Sequence, residues 1–207
     1  MSLFSISNLN FNNIINYSKI EIEENKVTFI LGKSGTGKST LLKLLNASVS
    51  PVHGEIFYKS KPLIQYDTIM LRREITLVSQ SVFLFDETIK NNFTEFYHYR
   101  ELPTPNENTI LKYLQICHAD FPLDTDCREM SGGERQRIFI AICLSFMPRV
   151  LLLDEPTSAL DEHTSKILME NLKNYCKEKN ITLIVITHDK LLAERYADKV
   201  ISLDSEV

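Results

Sequence analysis

Val27-Thr28-Phe29-Ile30-Leu31 runs without a break into Gly32-Lys33-Ser34-Gly35-Thr36-Gly37-Lys38-Ser39. The first five residues carry no charge and read as a buried strand. The next eight satisfy G-x-x-x-x-G-K-[ST], the loop that curls between a strand and a helix around a phosphate chain. Glycine lets the backbone curl so that successive N–H groups turn inward, and a helix starting near Lys38 puts its positive dipole end at the same place. In this reading Gly32, Lys33, Ser34, Gly35, Thr36 and Gly37 supply the cradle. Lys38 reaches the β- and γ-phosphates, Ser39 offers its hydroxyl to Mg²⁺, and Thr40 touches the α-phosphate.

Other short apolar runs, at 75–78, 150–153, 183–186 and 200–203, have the same look of strands buried on both faces. Helical patterns separate several of them, at 39–45 and at 164–179, where Ile167, Leu168, Leu172 and Tyr175 fall on one face. Alternating strands and helices predict an α/β fold with a mainly parallel sheet. Two stretches break the rhythm. Alternation over 3–22 and 53–58, with Gly54, predicts a small antiparallel subdomain, and residues 83–130, with Pro103, Pro105 and Pro122, predict an inserted helical subdomain.

The run 150–153 ends in Asp154-Glu155-Pro156. Two carboxylates at the C-terminal end of a parallel strand stand where such sheets open their ligand crevice. Strand alternation would point them apart, giving Asp154 to Mg²⁺ and Glu155 to the attacking water, while Pro156 stops the strand.

Composition sets the outer limits. With 207 residues the expectation is one domain over 1–207. Apolar residues at 43% and charged residues at 24% are ordinary for a globular chain, and a net charge of -4 without a long basic run argues against a nucleic-acid partner. Residues 1–15 lack Lys and Arg, unlike a secretory leader, and the longest apolar stretch, 138–147, is far below the roughly 20 residues that cross a bilayer. A cytoplasmic chain that meets a membrane only through a partner is the expectation. Cys117, Cys127, Cys143 and Cys176 form no C-x-x-C pair and read as reduced packing residues.

Ser131-Gly132-Gly133-Glu134-Arg135-Gln136 is the most specific element outside the glycine loop. With the loop and the acidic strand end, it makes the chain resemble the nucleotide-binding subunits of ATP-binding cassette (ABC) transporters along nearly its whole length. The family usually has Leu before that Ser and Gln as the fifth residue of the pentapeptide, where this chain has Met130 and Glu134. Ser131 and two glycines open a helix over 134–146, presenting N–H groups to an anion. The resemblance implies a P-loop NTPase core that binds and hydrolyses MgATP, with Ser131, Gly132, Gly133 and Glu134 facing ATP held by a second protomer.

It further implies that Gln80 senses Mg²⁺ and the attacking water, that Ser158-Ala159-Leu160-Asp161 is the loop after the acidic strand, with Asp161 near nucleotide, and that His188 contacts the γ-phosphate. The aromatic residue that stacks on adenine maps to Phe11, with Asn13 and Tyr17 as alternatives. Two subunits, alike or different, would close head to tail around two ATP molecules. A membrane-spanning permease subunit would dock on the helical insertion, where Phe83, Phe85, Phe93 and Phe96 suggest a groove. Phe146-Met147-Pro148-Arg149 and Ala197-Asp198-Lys199 look like bacterial ATPases of metal or iron export, and 84–92 like exporter-type cassettes. Cassettes acting on DNA or the ribosome share the nucleotide chemistry, but they carry long coiled coils or a second ATPase half on a basic linker, and this sequence has neither. A binding module without turnover is opposed by the presence of both Glu155 and His188.

Overall fold

The structure is a computed structural model and describes residues 2–203. Five parallel strands make the central sheet: β3 (Val27–Leu31), β6 (Ile75–Val78), β7 (Val150–Asp154), β8 (Thr182–Ile186) and β9 (Lys199–Ser202), in the spatial order β6-β7-β8-β3-β9. Every residue of β7 and β8 is buried. That explains the unbroken apolar runs, because a strand covered on both faces has no side left for polar residues. Alternation then divides each strand between two cores. Phe29, Leu151, Leu153, Leu183 and Val185 enter one, and Ile30, Val150, Leu152, Ile184 and Ile186 the other.

The first core is closed by α3 (Ile89–Tyr99), α4 (Glu107–Ile116), α5 (Gly132–Ser145), α6 (Glu162–Glu178) and α7 (Lys190–Tyr196). The second lies under α1 (Lys38–Leu45), whose Leu41, Leu42, Leu44 and Leu45 are fully buried between the parallel sheet and a four-stranded antiparallel sheet. A leucine buried in this way stabilises the fold by about 1.5–3 kcal/mol. The antiparallel sheet has the order β2-β1-β4-β5, from β1 (Ser2–Phe11), β2 (Ile15–Glu23), β4 (His53–Tyr58) and β5 (Lys61–Pro62), and α2 (Thr68–Glu74) leads from it back to β6.

The strands thus lie where the apolar runs predict, while the helices begin earlier than their apolar periodicity suggests. The signature helix starts at Gly132 rather than at 134, since Ser131 caps it, and α6 starts at Glu162 because Asp161 caps it. The insertion is helical in α3 and α4, joined by an irregular segment through Pro103 and Pro105. No helix among the described residues is long and apolar enough to cross a membrane.

Candidate functional site: a cleft at the C-terminal edge of the parallel sheet

Four adjacent strands of the parallel sheet end in the residues singled out above. β6 leads to Gln80, β7 ends at Asp154 before Glu155, β8 leads to His188, and β3 gives way to Gly32. Parallel pairing puts all four ends on one edge, as expected for the ligand crevice of an open α/β sheet. A cleft of about 480 Å³ opens there, lined by Ile15, Gly32, Lys33, Ser34, Gly35, Gly37, Lys38, Ser39, Thr40, Gln80, Glu155 and His188. Asp154 stands just beneath it, 6% exposed.

The Lys38 ammonium is held over the loop, donating to the carbonyls of Gly32 at 2.7 Å and Lys33 at 2.8 Å. Thr36 steadies the curve by donating its hydroxyl to the Lys33 carbonyl. Ser39 donates to Asp154 Oδ1 at 3.0 Å across 115 residues of sequence. Burial pushes the Asp154 carboxyl above the usual carboxylate range; the neighbouring charge of Glu155 adds to that, and the Ser39 hydroxyl works against it. A buried carboxylate that disfavours its own charge, with a hydroxyl beside it, offers the hard oxygen donors that suit Mg²⁺.

Glu155 is set by its backbone. It has φ 52°, in the left-handed region, so the chain turns immediately after β7. This corrects the expectation that strand alternation parts the two carboxylates. Its N–H donates to the Ile186 carbonyl, and its carbonyl accepts from Gln136 Nε2 at 3.2 Å and the Ser158 hydroxyl at 3.0 Å. So pinned, its side chain is mostly buried and meets His188, whose Nδ1 lies 2.9 Å from Oε2. With Nδ1 donating to the carboxylate, Nε2 is the ring nitrogen left for another group.

Ser131, Gly132, Gly133, Glu134 and Asp161 do not line this cleft. Ser131 and Glu134 form a closed capping box: the Glu134 carboxylate accepts from Ser131 N at 2.8 Å and Ser131 Oγ at 2.7 Å, and these bonds hold its pKa below the usual carboxylate range. The Asp161 carboxylate caps α6, accepting from the Thr164 N–H at 2.9 Å and its hydroxyl at 2.6 Å, which bring its pKa down to about 2. Gly133 packs α5 against the loop before α6. A Cβ there would stand 2.7 Å from the Ala159 carbonyl oxygen.

Phe11 is a correction. It ends β1, pairs with Ile15 across the hairpin and packs half-buried against the core beneath the antiparallel sheet, so it does not line the cleft. Tyr17 does not offer its face either, being 2% exposed with its hydroxyl committed to the Gly37 carbonyl at 2.7 Å. Asn13 sits exposed in the turn between β1 and β2. The hairpin residue that lines the cleft is Ile15. The sequence analysis passed over Ile15, and it named Gln136 only as the end of the signature, without its bond to Glu155 nineteen positions away.

The family model described as ABC transporter matches residues 15–158, more than half of the chain. The probable iron export ATP-binding protein FetA of Escherichia coli (strain K12) is 35% identical over 191 residues, covering 92% of this chain and 84% of that protein. The putative ABC transporter ATP-binding protein YjkB of Bacillus subtilis (strain 168) is also 35% identical, over 87% of this chain and 71% of its own. Among solved structures, a bacterial Atm1-family ABC exporter with ATP bound superposes with a TM-score of 0.87 at 26% identity, covering 97% of this chain and 37% of that one. A dimeric ATP-binding cassette in a post-hydrolysis state, bound to ADP and Pi, gives 0.83 at 26% identity over 97% and 94%. Strand-end chemistry, fold and relatives agree: the chain belongs to the ABC transporter family and is an ATP-binding, ATP-hydrolysing subunit of a transporter.

Proposed function

We propose that the cleft holds MgATP with its triphosphate in the cradle of residues 32–39 and that Glu155 drives attack of water on the γ-phosphate. The observation that carries this reading is the meeting, in one cleft, of Lys38, Ser39, Gln80, Glu155 and His188, from the ends of four neighbouring strands. Lys38 moves from the loop carbonyls to the β- and γ-phosphate oxygens. Ser39 and Asp154, with Gln80, would hold the cation, which would supply positive charge to offset that of the phosphates. Glu155 orients water and accepts its proton, while His188, held through Nδ1, presents Nε2 to the γ-phosphate.

The signature residues Ser131, Gly132, Gly133 and Glu134 complete the cleft of a second ATPase protomer, a copy or a relative, in a head-to-tail pair. Asp161 lies in the loop that passes between the two sites. A transmembrane permease subunit docks on the helical insertion at the cytoplasmic face, where a cleft lined by Phe85, Glu87, Asn91, Thr94 and Glu95 lies beside the exposed Phe83. Phe83, Phe85, Phe96 and Tyr99 pack ring to ring there, whereas Phe93 is fully buried and belongs to the core rather than to the groove. The likeness to a protein named for iron export supports export of a metal ion or other small solute.

Size-exclusion chromatography with light scattering, run with phosphate release, tests the central assignment. Glu155→Gln should bind MgATP, become a stable dimer with it, and release phosphate about 10²–10⁴-fold more slowly. Normal release by this variant would remove Glu155 from the mechanism.

A further inference from the structure

Gly37, the residue that turns the cradle into α1, has φ 88°, and its free side is filled by the antiparallel sheet. A Cβ on it would stand 2.7 Å from Ile15 Cγ2 and 2.7 Å from the Tyr17 hydroxyl oxygen. Tyr17 itself is 2% exposed and donates to the Gly37 carbonyl at 2.7 Å. That carbonyl also accepts the Leu41 N–H at 2.8 Å, the first hydrogen bond of α1. The phenol is therefore not needed to satisfy a buried acceptor.

What the phenol adds is orientation. A peptide unit is planar and trans, so fixing the Gly37 carbonyl fixes the Lys38 N–H to point the opposite way. That N–H belongs to the first turn of the helix, where amides have no partner within the helix and serve an anion instead. The Leu41 bond already holds this peptide from the helix side, and the phenol is a second donor that narrows the tilt glycine still allows. Tyr17 acts as a stop against that freedom.

The placement of Tyr17 is built into the sheet. In β1 the buried positions pass from Phe4 and Ile6 to Leu9, and in β2 they pass from Tyr17 to Ile20 and Ile22, a change of parity in both strands. The change coincides with Asn8 at φ 48° and with a register shift between β1 and β4. Without it Tyr17 would share the outward side of Lys19 and Glu21, which are exposed.

We infer that Tyr17 is a positioning residue for nucleotide binding, aiming the Lys38 backbone N–H at the phosphates by holding the Gly37 peptide from the antiparallel sheet. The inference rests on the reading of residues 32–39 as the phosphate cradle. An amide aimed in this way binds the phosphate equally in ground and transition states, so its loss weakens binding without slowing chemistry.

The test is Tyr17→Phe, which keeps the ring and removes one hydroxyl, with Lys38→Ala as the control for the cradle. Calorimetric titration with MgADP should give a Kd about five-fold weaker for Tyr17→Phe, near the net worth of one hydrogen bond. Turnover at saturating MgATP should stay within about two-fold of wild type, with the melting midpoint measured without nucleotide nearly unchanged. Wild-type MgADP affinity in Tyr17→Phe, while Lys38→Ala loses binding, would overturn the positioning role alone. Weaker binding accompanied by a matching fall in the melting midpoint would assign Tyr17 to structure rather than to nucleotide. Undiminished binding by Lys38→Ala would overturn the cradle reading and this inference with it.

Discussion

Asp154 and Glu155 are neighbours in sequence but opposites in circumstance. Asp154 ends a fully buried strand and is charged against its environment, whereas Glu155 sits in a left-handed turn, a conformation that costs a non-glycine residue about 1–3 kcal/mol. That cost is offset by the bonds to Ile186, Gln136 and Ser158, and the turn puts the carboxylate against His188. For Asp154 the sign of the pH effect follows from its raised pKa. The folded chain prefers the protonated acid, so its contribution to stability is full below the unfolded value of 3.8 and is lost as pH rises through the higher folded pKa. Near pH 7 the charged Asp154 therefore destabilises the chain in the absence of a cation. Asp154→Asn should melt higher than wild type at neutral pH without Mg²⁺, and the difference should shrink as pH falls toward 4 and again when MgATP is added. The same variant should lose phosphate release. A lower melting temperature for Asp154→Asn at neutral pH would show that its carboxylate is stabilised by the site instead of strained in it.

At the scale of elements, legibility followed burial. Strands covered on both faces wrote themselves as apolar runs, and β3 and β6 have the bounds read from sequence alone. Helix starts were hidden, because the capping residue and first turn of α5 and α6 are polar and carry no apolar period. The seven-residue helices α2 and α7 went unread, α2 burying only Leu71 along its length. Motif residues were legible since their chemistry demands particular side chains. Tyr17 and Gln136 were named, one as an alternative for adenine stacking and the other as the end of the signature, but their bonds to distant backbone carbonyls were not legible, because many polar side chains could fill that role. Two glycines of α5 separate these kinds of constraint. Gly133→Ala would drive a Cβ into the Ala159 backbone and should cost about 1–3 kcal/mol, lowering the melting midpoint by roughly 2–4 °C per kcal/mol. At Gly132 a Cβ meets nothing within 4 Å, so Gly132→Ala should leave stability unchanged or slightly raised. Equal melting of the two variants would mean that α5 is not seated on the 157–161 loop as the structure has it.

At the scale of the whole molecule, the parts of the proposed reaction are divided between two places. The cradle, Glu155 and His188 share one cleft, while Ser131 and Glu134 close on each other at the start of α5, outside it. If the second place serves a partner's cleft, two inactive variants can repair one another. Lys38→Ala spoils the cradle and keeps the signature; Ser131→Arg keeps the cradle and blocks the signature. Each alone should release almost no phosphate. In a mixed pair, the intact cradle of one protomer faces the intact signature of the other, and one of the two sites is whole. Random pairing makes about half the dimers mixed, so an equal mixture should recover up to about a quarter of wild-type activity if sites fire independently, and less if both must fire together. Activity should rise with concentration as pairs form. If Ser131→Arg alone hydrolyses normally, its own signature is not needed across any interface and each chain completes its own site. If both variants are dead and their mixture stays dead while Glu155→Gln still dimerises on MgATP, the pair requires two whole sites, and the coupling between them is obligatory.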